Sequence, residues 1–131
     1  MTARILILED TEERILKFKH KLIGREVTVC KTADECIKVL TSEPPFDYIM
    51  LDHDLSIEFS KPGKGTGYEV AAWIADNPHK SATQRIFIHS LNNVGAAAMM
   101  RKLGDANIRA TYVPWLWEKL EMSRLPNEHE G

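Results

Sequence analysis

Residues 47–56, DYIMLDHDLS, carry a short apolar run, Tyr48 to Leu51, straight into three ionisable side chains, Asp52, His53 and Asp54. A run of that length bounded by polar residues suits a strand buried on both faces. Ionisable groups at its end are costly unless they meet solvent, a metal or one another. The same transition occurs twice more. ARILIL (residues 3–8) runs into Glu9 and Asp10, and RIFI (residues 85–88) runs into His89 and Ser90.

Helical segments lie between these runs. After Asp10 and Glu13, a cap-like pair, Ile15, Phe18 and Leu22 recur at helical spacing until Gly24. EVTVC (26–30) reads as a second strand, and TADE (32–35) as a capping box before Cys36, Ile37, Val39 and Leu40. EPPFD (43–47) breaks that helix, so the third strand is expected over 46–52. TGYE (66–69) is a second capping box, opening a helix that ends at Asn77 and Pro78. A helix through VGAAAMMRKL (94–103) stops at Gly104, IRATYV (108–113) is a fifth strand, and WLWEKLEM (115–122) is a last helix. Strand and helix alternate five times, which implies a doubly wound five-stranded parallel sheet of α/β class. The expected domain spans residues 1–125, with a flexible tail at 126–131. In such sheets ligands bind beyond the carboxyl ends of the strands. Glu9, Asp10, Asp52, His53, Asp54, His89 and Ser90 therefore fall on one rim.

Composition narrows the classes. The chain has 131 residues, 44% hydrophobic and 27% charged, with a formal net charge of -2. That suits one globular domain and gives no whole-molecule argument for nucleic-acid or membrane binding. No apolar run approaches the roughly 20 residues of a membrane span, and the start does not read as a secretory signal. Cys30 and Cys36 have neither CxxC nor zinc spacing and read as reduced thiols of a cytoplasmic protein.

ILILEDTEER (5–14), with its acidic pair after the first strand, resembles the opening of a response-regulator receiver domain. Asp52 matches that family's phosphoacceptor, Ser90 its Ser/Thr position, and Pro114 the proline after the fifth strand. The similarity extends to about Leu120. It implies a flavodoxin-like strand order 2-1-3-4-5 and a magnesium or manganese site at Glu9, Asp10 and Asp52. There are departures. Val113 stands where receivers carry a lysine, the connection HDLSIEFSKPGKGTG (53–67) is long, and His53, Asp54 and His89 are not receiver hallmarks. The variant resembles the cyclic-phosphate processing receiver domains, which implies work on a phosphoester, with a phosphate-containing small molecule or an RNA end as partner.

The residues themselves leave several roles open. Glu9, Asp10 and Asp52 are hard oxygen ligands, although Glu9 or Asp10 can equally cap a helix. His53 and His89 can divide acid and base roles across a phosphate, ligate a metal with Asp52 or Asp54, or sit as satisfied polar groups. Asp54 can orient a histidine, complete a metal shell or simply make a turn. Lys61 and Lys64, in a glycine-rich loop, can meet phosphate or lie on an exposed loop. Ser90 is expected at the site, with Asn93 as the helix cap. Trp115 and Trp117 are core or interface aromatics, or a platform for a base, and the last helix is the surface expected for a homodimer. Three functions compete: a metal-assisted phosphoesterase with Asp52, His53, Asp54 and His89 as its catalytic set, a phosphoaccepting signalling receiver, and a receiver-like interaction module.

Overall fold

The computed structural model describes residues 2–55, 65–78 and 85–120. Its elements run β1 (Arg4–Leu8), α1 (Glu12–Lys21), β2 (Glu26–Cys30), α2 (Ala33–Ser42), β3 (Tyr48–Leu51), α3 (Gly67–Asp76), β4 (Ile86–Ile88), α4 (Asn93–Asp105), β5 (Ala110–Tyr112) and α5 (Leu116–Lys119). All neighbouring strands are parallel, in the order β2-β1-β3-β4-β5. This is the doubly wound parallel sheet the alternating pattern predicts, in the strand order the receiver resemblance implies. Among the described residues, no helix is long and apolar enough to cross a membrane.

Side-chain alternation divides the core in two. Leu6, Leu8, Ile49, Leu51, Ile86 and Ile88 face α2, α3 and α4. Ile5, Ile7, Tyr48 and Met50 face Phe18 of α1, Leu22 at its C-cap, and Leu116 and Trp117 of α5. The Lys17–Glu118 ion pair ties these last two helices at the surface. It contributes little next to Trp117, which is almost fully buried.

The helix starts differ in detail from expectation. Thr32 Oγ1 accepts from the Glu35 amide at 3.1 Å, but the Glu35 carboxylate reaches back one residue further, to the Lys31 amide at 2.8 Å. At α3 the Thr66 side chain makes no cap bond. Glu69 accepts from the Gly65 amide at 2.8 Å, and the Gly67 amide donates to the His53 carbonyl at 2.8 Å. At α4 the cap is Asn92 rather than Asn93, its Oδ1 accepting from the Gly95 amide at 2.9 Å. Asn93 is drawn away because its Oδ1 lies 2.8 Å from the Tyr112 hydroxyl, which also reaches the Ser90 carbonyl at 2.8 Å.

Gly67 fixes how closely α3 packs on the sheet. A Cβ there would lie 1.7 Å from the Asp52 carbonyl oxygen, so only glycine lets α3 begin against the end of β3. Gly67→Ala should lower the unfolding free energy by about 2–3 kcal/mol or more, read from the denaturant midpoint. Gly104, on α4, has nothing within 4 Å of such a Cβ. Gly104→Ala should therefore stabilise, by about 0.5–1 kcal/mol. Equal effects of the two changes would contradict the close approach at β3.

Candidate functional site

Glu9, Asp52 and His89 are each the first residue beyond a strand, and each extends the ladder by one bond. The Glu9 amide donates to the Cys30 carbonyl at 3.0 Å, Asp52 to Leu8 at 3.1 Å and His89 to Leu51 at 2.9 Å. Leu8 pairs with Leu51 and Leu51 with Ile88, so the three next residues stand abreast. All three are buried, and each brings one ligand-type atom to within 4.8 Å of the others. Asp10 lies half-buried beside them, outside that close group.

Glu9 is held from several sides. Its Oε2 accepts from the Asp10 and Thr11 amides, both at 3.1 Å, and its Oε1 from His89 Nε2 at 3.2 Å. Burial pushes the Glu9 carboxyl up, but the His89 contact, the Thr11 amide and Arg14 outweigh it and keep the group below its ordinary range. Burial pulls His89 below its ordinary value, and Glu9 only partly restores it. The pair is thus an anionic carboxylate accepting from a neutral imidazole. The ring packs edge-on to Phe18 and Trp117, with centroids at 5.0 and 5.9 Å. Its Nδ1 is buried without a hydrogen-bond partner. Binding a metal through Nε2 would move the proton to Nδ1, where no acceptor waits, so the ring suits holding Glu9 better than ligating an ion.

Asp52 is the strained member. Burial first, and then the Glu9 charge, raise its pKa to about 7, against the relief given by the His53 amide and Arg14. Its Oδ1 accepts from the His53 amide at 2.9 Å. Arg14 brings Nη1 to 3.8 Å from Glu9 and 3.9 Å from Asp52, with its guanidinium over the Trp117 ring at 4.3 Å. Sequence reading missed Arg14. The available signal was its position four residues before Phe18, a cation on the apolar stripe of α1.

His53 has separate surroundings. Alternation puts Asp52 and His89 toward α1 and α5, and the next residue turns the other way. The His53 ring lies against Gly95 of α4, where a Cβ would come within 2.5 Å of its Cγ. Nδ1 sits 2.6 Å from Asp54 Oδ1, and Asn92 Nδ2 donates to the same oxygen at 3.1 Å. The His53 bond first, with help from Asn92, holds the Asp54 carboxyl below its ordinary range. The two histidines expected to flank a substrate therefore stand apart, and Asp54 serves His53 rather than His89. The His53 side chain is 17% exposed and Asp54 66%. Ser90 Oγ accepts from the Asn92 amide at 3.0 Å, leaving its own proton uncommitted among the described residues. Lys61 and Lys64 lie outside the described residues.

The donor set fits a small divalent cation. Two buried carboxylates repel each other, and their oxygens need only small movements to converge on one ion. Without metal, Asp52 binds a proton in the folded state that the unfolded chain, with a carboxyl near 3.8, has lost. That contribution is full below about pH 4 and disappears as pH rises through about 7. Asp52→Asn should be more stable than the parent at pH 8 and should remove this loss, seen by thermal melts across pH 4–8. An unchanged difference between the two proteins over that range would contradict the assignment.

Residues 4–105 match the family model described as the cyclic-phosphate processing receiver domain. No curated protein matches the chain. Among solved structures, the Mn2+-bound form of response regulator Rcp1 is 18% identical at a TM-score of 0.65, covering 98% of this chain and 85% of that one. A CheY-like receiver domain protein from Methanospirillum hungatei is 16% identical at 0.62, covering 91% and 87%. TrrA of Thermotoga maritima, in complex with Mg2+ and BeF, is 21% identical at 0.60, covering 91% and 92%. At these identities the likeness speaks for the fold alone. Since the family model spans most of the sequence, on the sheet and rim just described, the chain belongs to the cyclic-phosphate processing receiver domains.

Proposed function

We propose that the chain is a divalent-metal-assisted phosphoesterase that opens a cyclic phosphate, or acts on a related nucleotide end such as that of a cleaved RNA. The observation that carries this reading is the His53–Asp54 pair, which directly follows the buried Asp52 along the chain, is joined at 2.6 Å and is fastened by Asn92. A phosphoacceptor has no use for an oriented imidazole, whereas hydrolysis does.

Glu9 and Asp52, with Asp10 at the same rim, would hold magnesium or manganese, which when bound neutralises charge on the phosphoryl oxygens. In the tautomer whose Nδ1–H donates to Asp54 Oδ1, His53 Nε2 carries a bare lone pair, and it has no partner among the described residues. Nε2 can then take a proton as water oxygen bonds to phosphorus. The bond from phosphorus to the ribose oxygen breaks, and that oxygen takes up a proton from solvent. Ser90 can donate its hydroxyl proton to a phosphoryl oxygen. His89 acts through Glu9, as a positioning residue. The signalling alternative retains Asp52 at the strand end, but Val113 stands where receivers carry the lysine that neutralises the transferring phosphoryl group.

The test is a hydrolysis screen with magnesium or manganese over 2′,3′-cyclic nucleotides, linear nucleotides and a bis-aryl phosphodiester. Cyclic substrates should be opened. His53→Ala should lower kcat by about 10²–10⁴-fold with the circular dichroism spectrum unchanged. Asp54→Asn should cost less. Acetyl phosphate with magnesium should leave the intact mass unaltered. Stoichiometric labelling of Asp52 without any hydrolysis would replace this reading by phosphoacceptance.

A further inference from the structure

The Arg14 guanidinium holds hydrogen-bond donors that the structure leaves unspent. Its side chain is only 26% exposed, yet it makes no hydrogen bond among the described residues. The two carboxylate oxygens facing it, at 3.8 and 3.9 Å, lie beyond hydrogen-bonding reach. The cation stays at that distance because it stacks over Trp117 at 4.3 Å. Trp117 is itself fixed by edge contacts with Phe18 and His89, at 6.3 and 5.9 Å, and by Trp115 at 5.5 Å. Neighbouring cations are committed elsewhere: Lys17 to Glu118 and Glu13, and Lys31 to Glu12. A guanidinium offers five N–H groups in a planar fork that matches two oxygens of a phosphate. Among the described residues His89 Nδ1 is the buried side-chain atom left without a partner, so the unbonded Arg14 N–H groups are open to solvent and to an incoming anion.

We propose that Arg14 is the anion-binding residue of this site, its fork receiving two phosphoryl oxygens of the substrate while Trp117 positions it. The proposal deepens the phosphoesterase reading and rests on it for the identity of the substrate. A divalent ion between Glu9 and Asp52 would take over the charge those carboxylates now offer the guanidinium. Arg14 would then be left with an uncompensated positive charge at the rim. A dianionic or monoanionic phosphate supplies the missing partner, whereas a neutral ligand does not.

The experiment titrates inorganic phosphate into the full chain by isothermal calorimetry, with and without manganese, and measures manganese affinity separately. Arg14→Gln should weaken phosphate binding by about 10–100-fold while manganese binds as tightly as before, or tighter. Arg14→Lys keeps the charge but loses the fork, and should fall between. Trp117→Phe should weaken phosphate several-fold, and by more than it weakens manganese. Unaltered phosphate affinity in Arg14→Gln, or parallel loss of phosphate and manganese, would reduce Arg14 to a counter-ion of the carboxylates and overturn the proposal. Should Arg14→Gln fail to fold, Arg14→Lys with phosphate affinity equal to the parent overturns it alone. KM for a cyclic substrate separates the two ideas. Hydrolysis with KM unchanged in Arg14→Gln removes Arg14 and keeps the enzyme. Arg14-dependent phosphate binding without hydrolysis keeps the anion site and removes the enzyme.

Discussion

Glu9 and Asp52 are buried carboxylates at the ends of adjacent central strands, and their mutual repulsion organises the rim. Two like charges in a poorly solvated place demand compensation. The fold supplies it unevenly. Glu9 receives two backbone amides, His89 and a nearby guanidinium, so it stays ionised. Asp52 receives one amide and the same guanidinium, with no imidazole, so burial and the Glu9 charge raise it and in the metal-free protein it holds a proton more readily. A site with one firm anion and one reluctant one is poised for a cation, because metal binding removes the repulsion that raises Asp52. The apolar wall of Phe18 and Trp117 serves this arrangement by fixing both His89 and Arg14.

The second constraint is close approach. Gly67 and Gly95 open helices α3 and α4 against the backbone of Asp52 and the ring of His53, where any side chain would collide. The helix starts thereby clamp the end of β3 from the opposite side to Arg14. Asn92 joins cap and site in one residue, its carbonyl oxygen closing α4 and its amide nitrogen steadying Asp54. Losing that residue would loosen a helix end and the His53 pair together.

The fold was legible because the relevant signals are local and repeated. Apolar runs ending in polar residues mark β1, β3 and β4, and β2 falls over 26–30 as its pattern says. The convergence of Glu9, Asp52 and His89 follows from strand order and register, which alternation alone does not supply. Facing was harder. The separation of His53 from His89 depends on β3 stopping at Leu51 and the chain bending at His53. The cap on α4 fell to Asn92 because a distant Tyr112 engages Asn93, a tertiary contact with no local trace. Arg14 escaped notice because one charge on an amphipathic helix ordinarily belongs to its solvated face.

The carboxylate pair and the phosphate-binding groups must form a single site if a metal held by Glu9 and Asp52 is to act on a phosphoester. Electron–nuclear double resonance at 31P, on the manganese-loaded protein with a nucleoside monophosphate added, examines that directly. A 31P hyperfine coupling to the bound manganese, absent in Asp52→Asn, is the predicted result. Tightly bound manganese showing no phosphorus coupling at saturating nucleotide would contradict it.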